Sequence, residues 1–348
     1  MSDRPFGYGF GEIEDTLKAG ARQLLRERAP IERVHAMVAG EHGGSRAGVW
    51  DRELWGTMVD LGWSGMRAPE RAEGAGLPCV AAVGVLEEVG RAAVPSPLPT
   101  SLAAACVLAA CHTPEADAAL SRIVAGAPAT LADVGNDGVA QFVQDAAKAE
   151  LLVVRESGGV HVMEAAQATM VPDRIVDLTR DQATARLEGE STPQVGPAEA
   201  WDRALPELLV YVSADMVGAA EWQLQTTAEY ARARVQFDRP LGFFQAVKHP
   251  LVDTMIAIDR ARTLLYDAAC AVDHAPDDAL VAARMAKAAA CEAAALASDR
   301  SVQLHGGIGF TWECFVHVYF KRQQHSRALL GDAFHQRAQL AEVFLGPV

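Results

Sequence analysis

The sequence predicts an α+β protein, mostly α, in which a short β-rich segment separates two helical parts. Three observations predict this fold class. Apolar residues recur at helical spacing up to about residue 125, short β-rich runs alternate with turn residues after it, and long helical patterns return after Trp201. The 348 residues allow about two or three domains. We therefore predict an N-terminal helical domain over 1–125, a small, shortened middle β domain over 126–200 and a C-terminal helical bundle over 201–348.

Repeating apolar side chains indicate at least three helices in the N-terminal part. Turn-rich stretches at 40–48, 68–78 and 92–100 separate them. The apolar positions at helical spacing are Ile13, Leu17, Ala21 and Leu24, then Leu54, Met58 and Leu61, then Val83, Leu86 and Val89.

The middle part changes to β-rich runs at 151–155, 159–163 and 183–189, bounded by Gly, Pro and Asp. Helical spacing returns after it, and the segment from Ala279 to Leu304 is dense in Ala and free of Gly and Pro. A bundle of four long helices is the simplest architecture for this part. The two other apolar stripes that indicate its helices are Leu205, Leu209, Val212 and Met216, and Val247, Leu251, Met255 and Ile258, continued by Arg262.

The charge balance and the apolar runs exclude several classes of protein. The chain has 31 Lys and Arg against 45 Asp and Glu, a net charge of −14, which disfavours nucleic acid as a partner. There is no run of about 18 apolar residues, so we expect no membrane span. The first residues contain acids where a signal peptide would have a basic and then an apolar region, so we expect a cytoplasmic protein.

The cysteines and histidines give little support to a metal site. No pair forms a CxxC motif, several cysteines lie in Ala- and Leu-rich helical stretches, and no HxxxH or HExxH pair occurs. We expect buried free thiols and no metal. The cysteines are Cys79, Cys106, Cys111, Cys270, Cys291 and Cys314.

Two segments of the C-terminal part carry residues suited to binding a phosphate. In the first, over 230–253, Arg234 lies beside a turn between two helices, with Phe237 and Gln245 nearby. A guanidinium at a helix end could hold a phosphate and an aromatic ring could stack on a ligand, although a turn with solvated arginines is the plain alternative.

The second segment, over 301–313, places Gln303 on the last turn of the Ala-rich helix and Gly306-Gly307 after it. Two glycines allow a ligand to approach the backbone N–H groups closely, and a helix cap followed by a turn is the alternative.

Taken together, the two segments resemble the C-terminal domain of the acyl-CoA dehydrogenase family. Stretches at 54–78 and 85–97 resemble the N-terminal domain of the same family, so the resemblance covers nearly the whole chain. The matching positions are Arg234, Phe237, Pro240, Leu241, Phe244 and Gln245 in the first motif, and Gln303, Gly306, Gly307, Gly309, Phe310 and Glu313 in the second.

The resemblance implies an N-terminal helical domain, a middle β domain, a C-terminal four-helix bundle and an FAD-dependent oxidation of an acyl-CoA thioester to the 2,3-enoyl-CoA. It also implies that the two motifs hold the ADP half of an FAD whose flavin ring lies in the neighbouring subunit. An electron-transferring flavoprotein is the acceptor that the family implies. The residues carried over to the FAD contact are Arg234, Phe237, Gln245, Gln303, Gly306 and Gly307.

The chain departs from the family at two places. The segment 129–141 lacks the Thr/Ser-Glu-Pro and Gly-Ser-Asp elements that the family uses to cradle the flavin ring, and Leu330 stands where the family's catalytic glutamate is expected. A minority of the family places this base at the position of Leu208. Glu207 is adjacent, but one helical residue is about 100° of rotation, so Glu207 is only a weak candidate.

This pattern of retention and loss resembles the short subunits of heterotetrameric acyl-CoA dehydrogenases, some of which act on bulky substrates such as sterol side-chain thioesters. The leading hypothesis is therefore a subunit that clamps the FAD of a full-length paralogue without supplying the base. Two alternatives stay open: a self-sufficient homo-oligomeric dehydrogenase that uses Glu207 or another carboxylate, and a non-catalytic binding module on the same fold.

Overall fold

The computed structural model describes residues 11–39, 49–156, 158–187 and 193–346, and the predicted turn at 40–48 lies outside them. Helices predicted around Ile13, Leu54 and Val83 are confirmed. The N-terminal helices are α1 (Glu12–Arg28), α2 (Ile31–Ala39), α3 (Arg52–Asp60), α4 (Cys79–Ala92), α5 (Leu98–Ala109) and α6 (Pro114–Val124).

The predicted turn at 92–100 is shorter than expected, because α5 already begins at Leu98. Pro99 falls in the first helical turn, where a backbone N–H would have no intrahelical acceptor. Its missing N–H therefore costs no hydrogen bond, and its fixed φ suits a helix. Helix α6 likewise has a proline, Pro114, in its first turn. Thr113 before it is the N-cap, and its hydroxyl accepts a hydrogen bond from the N–H of Ala116.

The middle part forms two small sheets. One has the strand order β1-β3-β4-β7, with β1 and β3 parallel and the other pairs antiparallel, and the second is antiparallel with the order β2-β6-β5. The predicted runs become β3, β4 and β6, although 188–189 of the last run lie outside the described residues. The strands are β1 (Ala129–Asp133), β2 (Val139–Gln144), β3 (Leu151–Glu156), β4 (Gly159–Glu164), β5 (Ala168–Pro172), β6 (Gln182–Leu187) and β7 (Gln194–Pro197).

Strand β3 is apolar without alternation because both of its faces are buried. Leu151 and Val153 pack in a cluster with α5, α6 and the beginning of α7, whereas Leu152 and Val154 pack in the cluster shared with the second sheet. The first sheet, which contains β3, is therefore packed between a layer of helices and the second sheet.

The C-terminal part is a helical bundle, as predicted, but its fourth helix is short. Three helices of 30 to 35 residues form its body, α10 has 13 residues, and α11 packs on α9. A two-stranded hairpin lies between the first two helices. The elements are α7 (Glu199–Ala233), β8 (Val235–Gln236), β9 (Arg239–Pro240), α8 (Gln245–His274), α9 (Pro276–His305), α10 (Val316–Ala328) and α11 (Ala333–Leu345).

The first and third parts share one hydrophobic core. It joins Leu25 of α1 and Leu86 of α4 to Val217 of α7, Leu265 of α8 and Ala290 of α9. Helices give way to strands between Val124 and Ala129, and strands give way to α7 between Pro197 and Glu199. Among the described residues, every helix falls short of the combined length and apolar character needed to cross a membrane.

Helices α4 and α7 cross in very close contact at two glycines. A methyl group on Gly90 would overlap the backbone carbonyl of Asp215, and one on Gly218 would overlap that of Glu87. Glycine is therefore required at both positions, and the crossing fixes how α7 is rotated against the N-terminal helices.

We expect Gly218→Ala to lower the free energy of unfolding by about 2 kcal/mol or more, because the two backbones would have to separate. The control is Gly20→Ala in α1, where an added methyl group would meet no atom within 4 Å. That change should raise the free energy of unfolding by about 0.5–1 kcal/mol, because alanine loses less conformational entropy in a helix. Urea denaturation of both variants measures the free energy of unfolding. Equal changes in the two variants would contradict the close crossing of α4 and α7.

Candidate active site and cofactor clamp

The residues predicted to contact FAD lie at one end of the helical bundle. Helices α7 and α9 both end there and α8 begins there, because successive helices of the bundle run in opposite directions. The ring of Tyr230, near the end of α7, stacks on His305, the last residue of α9, with 4.2 Å between centroids. Arg234 and Gly306, which directly follow these two helices, are thereby brought to the same end.

The hairpin β8–β9 presents an aromatic side chain to the outside. Val235 pairs with Pro240 and Gln236 with Arg239, and the two turn residues, Phe237 and Asp238, have φ values of 53° and 58°. Positive φ at both turn positions is typical of a type I′ turn. Phe237 is 85% exposed, and its ring meets that of Phe244 edge to face at 6.1 Å.

All six predicted FAD contacts are exposed at the surface of the chain. Gly306 ends α9 with a φ of 64°, and neither Gly306 nor Gly307 would have a neighbouring atom within 4 Å of an added Cβ. A cation, an aromatic face, two amides and open glycine backbone therefore line one end of the bundle, and this set suits a dinucleotide diphosphate. The six residues are Arg234, Phe237, Gln245, Gln303, Gly306 and Gly307.

A separate cavity of about 540 Å³ lies between the middle part and the bundle. Leu208 and Asp215 of α7 line it, together with Leu131 of β1 and Leu330 after α10. At about 1.5 Å per residue, Asp215 is about 28 Å along α7 from Arg234. The cavity and the FAD contacts are therefore two different places on this chain.

An ion cluster of the buried Asp215 and Arg322 with the half-buried Arg180 forms one wall of this cavity. Arg180 Nη2 donates to Asp215 Oδ2 at 2.6 Å, and Arg322 binds the other carboxylate oxygen. The same arginines also donate to Ser326 Oγ at 2.9 Å and Thr179 Oγ1 at 2.6 Å. Burial alone would raise the pKa of Asp215, but the two guanidinium groups outweigh it and hold this pKa below its usual value.

The other carboxylates that line the cavity are also ion-paired. Arg155 Nε lies 2.7 Å from Asp133 Oδ1, and Lys148 Nζ lies 2.6 Å from Asp145 Oδ1. With Asp215 bound to two arginines, every carboxylate among the described residues of the cavity wall has a cationic partner.

Leu330, at the position expected for the family's base, does line the cavity. It has a left-handed φ of 56°, and its carbonyl accepts a hydrogen bond from Gln336 Nε2 at 2.6 Å. The nearby Asp332 is the N-cap of α11, where its Oδ1 accepts from the N–H of His335 at 2.9 Å.

Glu207, the weak candidate for a base, is buried beside the cavity without lining it. Arg67 Nε and Nη2 donate to its two oxygens at 2.7 and 3.0 Å, and the Tyr211 hydroxyl and Cys106 Sγ donate as well. Burial would raise the pKa of Glu207, but Arg67 and the hydrogen bonds lower it overall. Leu208, one residue further, faces the cavity as the sequence register predicts.

The ion cluster is not among the features that the sequence predicted. Its signal was present in α10, where Arg322, Gln323 and Ser326 are buried although the helix has no apolar stripe. Polar residues on the buried side of a helix indicate partners from elsewhere in the fold. Within the described residues no group of three or more His, Cys, Asp or Glu side chains could hold a metal ion, and all six cysteines are free.

His325 in the cavity wall makes stability depend on pH. Its Nε2 lies 2.8 Å from Gln144 Oε1, and burial lowers its pKa to about 4. Between about pH 6.5 and 4 the unfolded chain binds a proton that the folded chain does not, so stability falls as the pH falls through this window.

We expect His325→Gln to remove up to about 3 kcal/mol of this loss, since glutamine does not titrate. Urea denaturation at several pH values between 4 and 8 measures the slope, and His274→Gln at the exposed end of α8 is the control. A slope unchanged by His325→Gln would contradict the buried, neutral imidazole.

Comparison with known proteins agrees with this geometry. The acyl-CoA dehydrogenase N-terminal domain model matches residues 12–127, and the C-terminal domain model of the same family matches residues 209–345. Acyl-CoA dehydrogenase IpdE2 of Mycobacterium tuberculosis is 34% identical over 92% of this chain and 93% of its own length. IpdE2 of Mycolicibacterium smegmatis is 31% identical over 96% and 99%.

Solved structures show the same fold. The steroid ACAD Tcur3481-Tcur3483, as a G363A variant, matches with a TM-score of 0.85 and 28% identity, over 96% of this chain and 98% of that one. The ChsE4-ChsE5 complex from Mycobacterium tuberculosis matches with a TM-score of 0.88 and 24% identity, over 99% and 100%. Two family models match most of the chain, and relatives align with it over nearly their whole length, so this chain belongs to the acyl-CoA dehydrogenase family of FAD-dependent oxidoreductases.

Proposed function

We propose that this chain is the FAD-clamping subunit of a heteromeric acyl-CoA dehydrogenase that carries out α,β-dehydrogenation of an acyl-CoA thioester. One observation carries the proposal. The six predicted FAD contacts are all exposed at one end of the bundle, whereas the chain's own cavity lies about 28 Å away along α7. Residues placed in this way can serve a cofactor that is seated mainly in a neighbouring chain.

The chemistry of each residue suits one part of FAD. The guanidinium of Arg234 neutralises the diphosphate, the face of Phe237 stacks on the adenine, and the amides of Gln245 and Gln303 offer hydrogen bonds. Gly306 and Gly307 let the diphosphate approach their N–H groups, since no Cβ stands in the way. When bound, the flavin accepts the β-hydrogen of the thioester as a hydride.

The cavity supports the second half of the proposal, that the base comes from the partner. A general base needs a carboxylate that can reach the α-proton of the substrate. Asp133, Asp145 and Asp215 are each paired with a cation, and Leu330 brings an alkyl group to the position of the family's base.

A full-length paralogue is the partner that we propose, most simply in a heterotetramer. The first half of α8, which begins at the FAD contacts, leaves Val252, Met255 and Ile256 exposed by 46%, 45% and 58%. An apolar face beside the clamp is a suitable interface with another chain. The names ChsE4-ChsE5 and Tcur3481-Tcur3483 each combine the names of two chains, and Tcur3481-Tcur3483 is described as a steroid ACAD.

On the basis of these names we also propose a class of substrate and an electron acceptor for this chain. A bulky acyl group, such as a sterol side-chain thioester, would suit a complex in which one of two half-sites has lost its catalytic groups. Electrons would pass from the flavin to an electron-transferring flavoprotein, and the six free cysteines suit the reducing cytoplasm.

Replacing Arg234 tests the first half of the proposal, which is that this chain contacts the FAD of the complex. We expect Arg234→Ala to weaken FAD binding to the complex about ten- to hundredfold, because a charge-assisted contact to the diphosphate is lost. FAD content by visible absorbance and turnover at increasing FAD measure this. Arg26→Ala, at an exposed arginine of α1, is the matched control. Normal FAD content in the Arg234→Ala complex would contradict the clamp.

Purification with and without the paralogue separates the proposal from its alternatives. We expect the chain alone to be colourless, and the complex to be yellow with less than one FAD per chain. A yellow chain that bleaches with an acyl-CoA would favour the self-sufficient homo-oligomer. A chain with neither flavin nor paralogue partner would favour the non-catalytic binding module.

One observation favours the self-sufficient alternative. Tyr211 lines the cavity and also donates a hydrogen bond to Glu207, so a proton could pass between the cavity and this carboxylate through the phenol. The carboxylate is nevertheless held by Arg67, which also contacts Asp273 Oδ1 at 3.0 Å.

We expect Glu207→Gln to leave turnover of the complex unchanged and to cost about 3–5 kcal/mol of stability, because Arg67 loses a buried partner. The control is Asp273→Asn, which also removes a carboxylate from Arg67 but lies away from the cavity wall. Turnover with FAD occupancy and urea denaturation measure both effects. A loss of turnover in Glu207→Gln alone, with FAD retained, would assign the base to Glu207.

A further inference from the structure

Helix α11 exposes large apolar side chains that the FAD clamp does not explain. Phe334 is 82% exposed, Phe344 is 67% exposed and Leu345 is 81% exposed. They are among the most exposed large apolar side chains of the described residues. Exposed apolar side chains grouped on one element indicate a surface that receives a partner.

The rotation of α11 is the opposite of that expected for a surface helix, which normally places its apolar stripe on the core. Of the residues Ala333–Leu345, all of which the structure describes, only Gln336 is buried. Gln336 Nε2 donates to the carbonyl of Leu330 at 2.6 Å, and its Oε1 accepts from Arg284 Nη1 at 3.1 Å. Polar contacts therefore fix the rotation of α11 and turn its apolar side chains outward.

The outward face of α11 has the same pattern from both ends. A large side chain stands at each end of the stripe and two small ones stand in the middle, at spacings of four, three and four residues. These spacings place all four on one side of the helix, as in a coiled-coil seam. The small residues in the middle let another helix approach closely, and the stripe is complementary to a second copy of itself. The four residues are Phe334, Ala338, Ala341 and Leu345.

The charged side chains beside this stripe also suit a second copy. Arg337 and Glu342 are exposed and flank the stripe on opposite sides, at the positions that form ion pairs between parallel helices of a coiled coil. If the second helix runs antiparallel, Glu342 instead faces the exposed His335 of the other copy. Either direction therefore places the carboxylate of Glu342 beside a basic side chain.

The stripe on α11 is distant from the proposed contact with the paralogue. Lys287 Nζ of α9 donates to the carbonyl of Gly331, just before α11, at 3.2 Å. From Lys287 to His305, where α9 ends beside the clamp, the helix rises about 27 Å at about 1.5 Å per residue. A contact at the beginning of α11 therefore leaves the clamp end free.

We propose that α11 pairs with the α11 of a second copy of this chain about a two-fold axis. Such a pairing buries the same face on both copies and closes on itself, so it requires a face that is complementary to itself. The stripe on α11 meets this requirement. In the proposed heteromer, the α8 face would bind the paralogue and α11 would join two such pairs into a heterotetramer. The pairing itself rests on α11 and does not depend on the proposed function.

Sedimentation velocity of the chain alone tests the pairing. Because an interface of two short helices is small, we expect a reversible dimer with a dissociation constant of ~1–100 µM. Ala338→Asp should raise this constant at least about hundredfold, because it places two carboxylates where the helices are closest. Ala19→Asp, at an exposed position of α1, changes the charge equally and should leave the dimer unchanged. A chain that stays monomeric over this range, or a dimer that Ala338→Asp does not weaken, would overturn the proposal.

A second variant removes a large side chain from the end of the stripe. We expect Phe334→Ala to weaken the dimer about tenfold, because an aromatic contact to the other copy is lost. Urea denaturation at a concentration where the chain is monomeric should give the wild-type midpoint for Phe334→Ala and Ala338→Asp, because both residues are exposed. A dimer as tight as that of the wild type in Phe334→Ala would contradict the pairing through this stripe.

The complex with the paralogue separates this inference from the proposed function. Ala338→Asp should halve the mass of the complex, to one copy of each chain, with FAD retained. Ile256→Asp on the exposed α8 face should prevent binding of the paralogue and leave the dimer of this chain intact. Loss of paralogue binding in Ala338→Asp would assign the stripe to the paralogue and overturn the inference. A wild-type chain that dimerises but binds neither FAD nor the paralogue would contradict the proposed function alone.

Discussion

The structure depends most on the close crossing of α4 and α7 at Gly90 and Gly218. The two backbones approach so closely that neither position can carry a methyl group. Charged residues surround this contact. Glu87 of α4, nearly fully buried, accepts hydrogen bonds from Lys18 of α1 and from Arg262 and Tyr266 of α8. Burial raises the pKa of Glu87, but these partners lower it overall, so the carboxylate stays ionised and ties three helices together. Since α7 lines the cavity and ends beside Arg234, this crossing sets the orientation of both.

Buried ion pairs hold the cavity in shape, and they do so at a cost in desolvation. Asp215 lies between Arg180 and Arg322, and Glu207 lies against Arg67, so two buried carboxylates of α7 are paired with three arginines from elsewhere in the fold. Removing one member of such a pair costs about 3–5 kcal/mol, whereas replacing a whole pair with apolar residues is often neutral. The Arg180–Asp215 pair joins the middle part to the bundle, and the Arg67–Glu207 pair joins the N-terminal part to it.

The sequence predicted well what depends on neighbouring residues. Helical spacing located α1, α3 and α4, and continuous apolar character located β3, because local periodicity reflects which faces are buried. The helical register also turned Glu207 about 100° away from Leu208, and Leu208 lines the cavity whereas Glu207 does not. The ion cluster could not be predicted in this way, because Arg322 and Asp215 are 107 positions apart in the chain. Arg67 and Glu207 are separated by 140 positions, and no periodic pattern connects such residues.

The proposed function places two halves of a dehydrogenase site along α7, one retained beside its last residue and one lost at the cavity. In the proposed heteromer, Arg234 would act on a cofactor in another chain, and its exposed side chain costs this fold almost nothing. A base in the cavity needs an unpaired carboxylate in a buried place, which is unfavourable by several kcal/mol unless catalysis requires it. Once a partner supplies the base, pairing each buried carboxylate with a cation and placing an alkyl group at Leu330 stabilise this chain. The proposed division of work between two subunits would therefore account both for the loss of the base and for the retention of the exposed FAD contacts.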